Sequence, residues 1–249
     1  KINFAEMRAI ADEVGAVLMV DMAHFAGLVA GKVFTGDFNP VAHAHIVTTT
    51  THKTLRGPRG GMVLCKDDFK DAVDKGCPAI LGGPLPHGMA AKAVAFREAL
   101  TPEFQTYAAK VVENAKALAQ ACIDGGIPVL TGGTDNPLLL LDVFEGFVLT
   151  CRQAETALRE CGITLNRNSL PFDPNGAWYT SGLRLGTPAL TSLGLGVAQM
   201  KEIGAIFSMV LAKTTPKLKT KGKQKGEASQ IKYNLDQGII DQAKKRVTD

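Results

Sequence analysis

The segment Thr48-Thr49-Thr50-Thr51-His52-Lys53-Thr54-Leu55-Arg56-Gly57-Pro58-Arg59-Gly60-Gly61 decides how the surrounding chain is understood. The β-branched run from Ile46 to Thr49 predicts a strand. It enters a hydroxyl-rich loop that presents one lysine, and a glycine-rich turn follows. Lys-Thr beside glycines suggests a nucleotide phosphate loop. That motif, GxxxxGK[ST], sets its glycines before the lysine, and here they come after. A lysine held between hydroxyls and cations is suited instead to losing its proton and attacking an aldehyde as a Schiff-base former.

Towards the amino terminus, Ala16 to Val20 predicts a fully buried strand that ends at Asp21. Asp21 is thereby placed at the carboxyl end of a strand, where α/β sheets put their ligands. Pyridoxal phosphate (PLP) chemistry needs a carboxylate on the pyridine nitrogen, because the protonated ring then accepts electrons from a carbanion. Lys53 follows the next strand, so the two strand ends are expected side by side. Asn3 and Glu6 suggest a capping box, and Phe4, Met7, Ile10, Ala11 and Val14 share one helical face that Gly15 terminates. A helix followed by a buried strand is half of an α/β crossover, which predicts a chain that begins inside a domain.

Towards the carboxyl terminus, Met62 to Cys65 predicts a further strand and Asp67 to Asp74 a short helix. Gly82-Gly83-Pro84 is a breaker before a helix from His87 to Leu100. Thr101-Pro102 opens a long helix to about Ile123 that is expected to join two domains. Beyond Gly125-Gly126, strands at Leu138–Asp142, Ile163–Leu165 and Leu183–Leu185 alternate with helices at Cys151–Cys161 and Val197–Ala212. Lys213 to Lys225 carries six lysines and no acid, the pattern of a solvated linker. From Ser229 a last helix is expected, with Ile231, Leu235 and Ile239 on one side. The predicted class is α/β. Residues 1–100 belong to a large domain with a mixed sheet, 101–212 form an interdomain helix and a smaller α/β domain, and 213–249 form a linker and helix.

The 249 residues are 45% hydrophobic and 21% charged, which suits a globular chain with a core and excludes a disordered one. A net charge of +4 is too small to imply a nucleic-acid partner, and the lysine-rich stretch lacks interleaved aromatics. No run approaches a membrane span, and Lys1-Ile2-Asn3-Phe4 has no apolar signal core; the expectation of a cytoplasmic setting comes from the cysteines, which suit free thiols in a reducing cytosol. The five cysteines are odd in number and contain no CxxC pair, which argues for free thiols. His43 and His45 form an HxH pair without acidic or thiol neighbours in sequence, so no metal is expected.

Asp21-Met22-Ala23-His24, followed by the threonine-rich lysine segment, resembles serine hydroxymethyltransferase, a fold-type I PLP-dependent transferase. Gly82-Gly83-Pro84-Leu85, Gly132-Gly133-Thr134-Asp135-Asn136, Asn166-Arg167-Asn168-Ser169 and Thr180-Ser181-Gly182-Leu183-Arg184-Leu185-Gly186-Thr187-Pro188-Ala189 agree in order, up to about Ala212. The resemblance implies that Lys53 carries PLP covalently, that Asp21 partners the pyridine nitrogen and that His24 lies against the ring. It implies that Thr50 and His52 line the lysine, with His52 donating to the phosphate, and that Arg59 is a cation favouring neutral Lys53. It implies that Gly82 and Gly83 approach the cofactor phosphate of a neighbouring subunit, that Arg184 clamps the substrate carboxylate and that Asn168 lies near the folate. Tetrahydrofolate is the implied co-substrate, serine and glycine the substrates, and a homodimer or homotetramer the assembly. Two stretches depart from the family pattern: Pro137 stands where His is common, and Thr191-Ser192-Leu193-Gly194-Leu195 replaces an Arg-Gly-Phe run. The family chain is longer at its amino end, so the chain looks like the carboxyl-terminal portion. A folate-independent PLP aldolase or aminotransferase, and an inactive fragment lacking the other half of the site, stand as the alternatives.

Overall fold

The computed structural model describes residues 1–221 and 224–249; Lys223, counted above in the lysine-rich stretch, lies outside them. The chain divides into two units, Lys1–Val111 and Val112–Asp249.

In unit 1, α1 (Phe4–Glu13) starts where Asn3 Oδ1 accepts the Glu6 N–H at 3.1 Å. Its expected apolar face is only partly used. Phe4 and Ala11 are buried, whereas Met7, Ile10 and Val14 are exposed. β1 is short (Met19–Asp21), and α2 (Ala26–Ala30), a 3₁₀ turn (Gly36–Phe38) and α3 (Pro40–His43) lead to β2 (Ile46–Thr50) and β3 (Gly61–Cys65). The sheet order is β1-β2-β3, with β1 parallel and β3 antiparallel to β2. The expectation of a fully buried strand at 16–20 is corrected. Val20 is buried, but Val17 and Met19 are exposed, because β1 is an edge strand covered on one face only.

The helix expected at 67–74 begins as a 3₁₀ turn (Asp67–Phe69) and continues as α4 (Lys70–Leu81) through Pro78. Gly82, at φ 77°, stops it. α5 (Pro86–Ala99) and α6 (Pro102–Asp124) follow with proline in the first turn. A Cβ at Gly31 would meet the Ala108 Cβ at 2.3 Å, so glycine is what lets α6 lie against the end of α2. α6 runs from unit 1 into unit 2, and the boundary falls at 111/112 rather than 100/101.

Unit 2 is built on β4 (Leu138–Asp142), α7 (Val143–Phe147), α8 (Cys151–Glu160), β5 (Asn166–Asn168), α9 (Gly176–Tyr179), β6 (Gly182–Gly186), α10 (Pro188–Ser192) and α11 (Val197–Lys213). Its sheet is antiparallel, in the order β4-β6-β5. Leu141 and Leu183 lie in one cross-strand row with Arg167 and are fully buried. Arg167 reaches the buried Glu155 of α8 at 3.3 Å, so this row faces the helices. The next row, Leu140–Arg184–Asn166, therefore points to the opposite face. The strand expected at 163–165 forms three residues later, at 166–168, where register with β6 allows pairing.

Within the stretch expected as a solvated linker, Thr215–Leu218 forms a strand, β7, which is mostly exposed and pairs antiparallel in a hairpin with β8 (Ala228–Asn234). Ile231 lies on β8, and the last helix, α12 (Gln237–Thr248), starts after Asp236 caps it. Exposed edge strands commonly carry lysine, so lysine richness did not exclude a strand. α12 buries Ile240 and Ala243 in the same core as Leu158, Leu183, Phe207 and Leu211.

Candidate active site

The register of unit 1 sets Asp21, the last residue of β1, beside Thr48 of β2. Both strands run the same way, so the chain leaves them at the same edge. The Asp21 carboxylate is pinned there: Oδ1 accepts the Ala23 N–H at 2.8 Å and Oδ2 accepts the Thr48 hydroxyl at 2.9 Å. Asp21 remains exposed, and two hydrogen bonds leave its oxygens with further acceptor capacity.

Three residues past β2, Lys53 is half-buried, with Nζ 3.5 Å from His24 Nε2. His24 sits in the turn that begins at Asp21, so the carboxylate turn and the amine loop meet. Their meeting is fastened by Thr54. Its hydroxyl donates to the His24 carbonyl (3.2 Å) and accepts the Gly27 N–H (2.9 Å). A Cβ at Gly27 would stand 2.3 Å from the Thr54 carbonyl oxygen, so no side chain fits between α2 and the lysine loop. The Thr50 hydroxyl donates to the Ala23 carbonyl at 3.4 Å.

After Lys53 the loop reverses. Arg56 N–H bonds to the Lys53 carbonyl (2.9 Å), and Arg56 takes a left-handed φ of 57°. Its guanidinium stacks 4.2 Å from the Tyr107 ring centroid, tying the loop to α6. The Thr51 hydroxyl donates to the Pro58 carbonyl at 2.6 Å. His52 Nδ1 is buried and has no hydrogen-bond partner.

The other sequence-predicted residues are placed as follows. Arg59 is exposed on the Gly57–Gly61 turn and makes no hydrogen bond or ion pair among the described residues. Gly82 and Gly83 lie on an exposed turn where an added Cβ would meet no atom of this chain within 4 Å. Arg184 and Asn168 belong to unit 2. Arg184 is half-buried in the middle of β6, flanked by Leu140 and Asn166, with no salt-bridge partner among the described residues. Asn168 ends β5, and its Nδ2 donates to the Ser169 carbonyl at 2.7 Å. The HxH pair is taken up structurally. His43 Nε2 donates to the Gly36 carbonyl (3.2 Å), and His45 Nδ1 accepts the Leu18 N–H (2.9 Å).

Sequence reasoning assigned no separate role to Thr48, Thr54 or Gly27. A signal for the first existed: with a period of two, Thr48 and Thr50 share one face of β2 while Thr49 is buried on the other. The approach of Gly27 to Thr54 joins residues 27 apart and left no local pattern.

No helix among the described residues is long and apolar enough to cross a membrane. The serine hydroxymethyltransferase family model matches residues 1–207. The serine hydroxymethyltransferase of Treponema pallidum is 69% identical over 215 residues, which are 86% of this chain and 37% of that relative. The enzyme of Cutibacterium acnes is 60% identical over 239 residues, 96% of this chain and 48% of the relative. That of Salinispora tropica is 57% identical over all 249 residues, 51% of its own length. The chain thus spans about half the length, or less, of these curated relatives. With an α/β fold that sets Asp21, His24 and Lys53 at one sheet edge and a match over most of its length, the chain belongs to the serine hydroxymethyltransferase family.

Proposed function

We propose that this chain supplies the cofactor-holding and substrate-carboxylate side of an enzyme that interconverts serine plus tetrahydrofolate with glycine plus methylenetetrahydrofolate. The observation that carries the reading is the meeting of two loops at one sheet edge, with Lys53 Nζ 3.5 Å from His24 in the turn that Asp21 begins. The residues present fit PLP. There is an amine to bond it, a pinned carboxylate with open acceptor sites for a ring N–H, and, next to the lysine in sequence, a histidine whose Nδ1 has no hydrogen-bond partner among the described residues. When bound, PLP supplies the electron sink for breaking the bond to the serine side-chain carbon.

The chain's own groups do the rest. Asp21, fixed by Ala23 and Thr48, orients the pyridine ring through its nitrogen. His24 lies against the ring, and Thr50 and His52 line the lysine, His52 facing the phosphate. Arg59 adds positive charge near Lys53. Arg184 holds the substrate carboxylate, a task for which a planar guanidinium with no salt-bridge partner among the described residues is suited. Asn168 lies towards the folate.

The fold is that of the PLP-dependent transferases of fold type I, the first unit forming part of the large domain and the second a smaller one. The working assembly is a homodimer or homotetramer. Its support is the exposed turn at Gly82-Gly83, open to a neighbour and surrounded by exposed Ile80, Leu81, Leu85 and Met89. The setting is the cytoplasm, with small-molecule partners and neither nucleic acid nor membrane. The test is Lys53→Ala in the full-length enzyme. The variant is expected to lose the visible absorbance of bound PLP and the folate-dependent conversion of serine to glycine. Retention of both would overturn the assignment.

A further inference from the structure

The described residues beyond position 207, where the family match ends, include the end of α11, the paired strands β7 and β8, called the hairpin below, and α12. One buried side chain joins this region to α8. Gln153, in the first turn of α8, is 1% exposed. Its Nε2 donates to two carbonyls of the hairpin, Ser229 at 2.6 Å and Lys232 at 2.9 Å. Its Oε1 accepts the Thr150 N–H at 3.0 Å, completing a capping box. The Thr150 hydroxyl adds a third bond to the hairpin, donating to the Gln230 carbonyl at 2.8 Å. The hairpin therefore grips the amino end of α8 through buried polar groups that have few other partners.

Cys151, which follows Thr150, faces the other way. Its N–H donates to the Thr180 carbonyl at 2.9 Å, and its Sγ contacts the Tyr179 carbonyl and the Thr180 hydroxyl. Thr180 is buried and has a φ of 47°. A β-branched residue adopts that conformation only when its surroundings hold it there. Ser181 follows, and β6 begins at Gly182, carrying Arg184. Hairpin, α8 cap, strained Thr180 and the arginine strand are thus consecutive links of one chain of contacts.

We infer that Gln153 is a positioning residue, through which the carboxyl-terminal hairpin holds Thr180 in its strained conformation and so sets the placement of Arg184 on β6. This rests on the reading of Arg184 as the carboxylate clamp. A bidentate guanidinium–carboxylate pair tolerates little displacement. The clamp binds the substrate carboxylate equally in the ground and transition states, so loosening it weakens binding and leaves the chemical step unchanged.

The test uses the full-length enzyme with Gln153→Leu, Thr150→Val and Thr150→Ser. Gln153→Leu is expected to raise KM for serine on the order of tenfold, a displacement below the ~1 Å that costs a hundredfold, with kcat within about twofold. Amide exchange over residues 182–186 should quicken by a similar factor, and the visible spectrum of bound PLP should not change. Thr150→Val should move KM and exchange the same way by a smaller factor, and Thr150→Ser, which keeps the hydroxyl, should restore both. Lower thermal stability with unchanged KM and unchanged exchange at 182–186 would overturn the inference and leave the hairpin a purely structural appendage. If Gln153→Leu does not fold, the two Thr150 variants decide by the same readouts. Arg184→Lys separates the two readings. If it leaves KM unchanged while exchange at 182–186 still quickens in Gln153→Leu, the clamp assignment fails and the coupling stands.

Discussion

The two units bury their apolar residues on different terms. In unit 2, α6, α8, α11 and α12 close over one face of the β4-β6-β5 sheet, and Leu141, Leu149, Leu158, Leu183, Met200 and Leu211 are sealed within. In unit 1, α1, β1 and the chain between them keep Ile10, Val14, Val17 and Met19 in solvent, and α4 buries no residue at all. Unit 1 nonetheless fixes its candidate site through hydrogen bonds that join two loops, Thr48 to Asp21 and Thr54 to the His24 carbonyl. The lesson is that a site can be fixed by hydrogen bonds between loops and close backbone approach even where the helices and strands around it leave apolar side chains exposed.

The contrast is broken or sharpened most strongly by truncation. Phe207→Ala removes a ring that is 2% exposed in the core of unit 2 and is expected to cost about 4 kcal/mol. Urea unfolding followed by the fluorescence of Trp178, the sole tryptophan and a residue of unit 2, measures it. Ile10→Ala on the exposed face of α1 should cost no more than about 0.5 kcal/mol by circular dichroism. A cost for Ile10→Ala close to that of Phe207→Ala would mean that the outer face of α1 is covered in solution, and the contrast would fail. Next in size is Gly27→Ala. Its methyl would meet the Thr54 carbonyl oxygen at 2.3 Å, which forces α2 and the lysine loop apart at about 3 kcal/mol. The expected result in the full-length enzyme is weaker PLP retention along with lower thermal stability. Stability lost with PLP retention unchanged would show that α2 does not set the lysine loop.

How far the sequence revealed these features depended on the range of the forces involved. The helix from Pro102 to Asp124, the strand Leu138–Asp142 and the Asn3 cap were legible, because caps, prolines and runs of leucine act within a few residues. The burial of 16–20 was misjudged, since an apolar run states what a strand can cover and not whether a neighbour covers it. The β7–β8 hairpin was missed for a related reason. It is held by Gln153 and Thr150, about 80 residues away, and lysine composition carries no trace of that. At the site, Asp21 and Lys53 stood out by residue type at strand ends. The Thr54–Gly27 fastening did not, because it is a contact between loops that only the fold brings together.

The smallest expected effect concerns Asp173, whose role also shows how unit 2 stiffens an exposed loop without a core. Burial alone would raise its carboxyl. The Ser181 hydroxyl and the N–H groups of Asn175, Leu170 and Ser181 outweigh that and hold it below the usual carboxylate range. The folded state therefore binds this proton less readily than the unfolded chain. The stabilisation is fully present above the ordinary carboxylate pKa of about 4 and is lost as the pH falls through the lower folded value. Its size is at most about 1 kcal/mol, because the group is half-exposed and solvent screens it. Asp173→Asn should remove the contribution at neutral pH and flatten the acid limb of the stability curve read by Trp178 fluorescence. An acid limb of the same slope in the variant would show that the bonds to Ser181 do not stabilise the loop before β6, and that Thr180 is held from the α8 side alone.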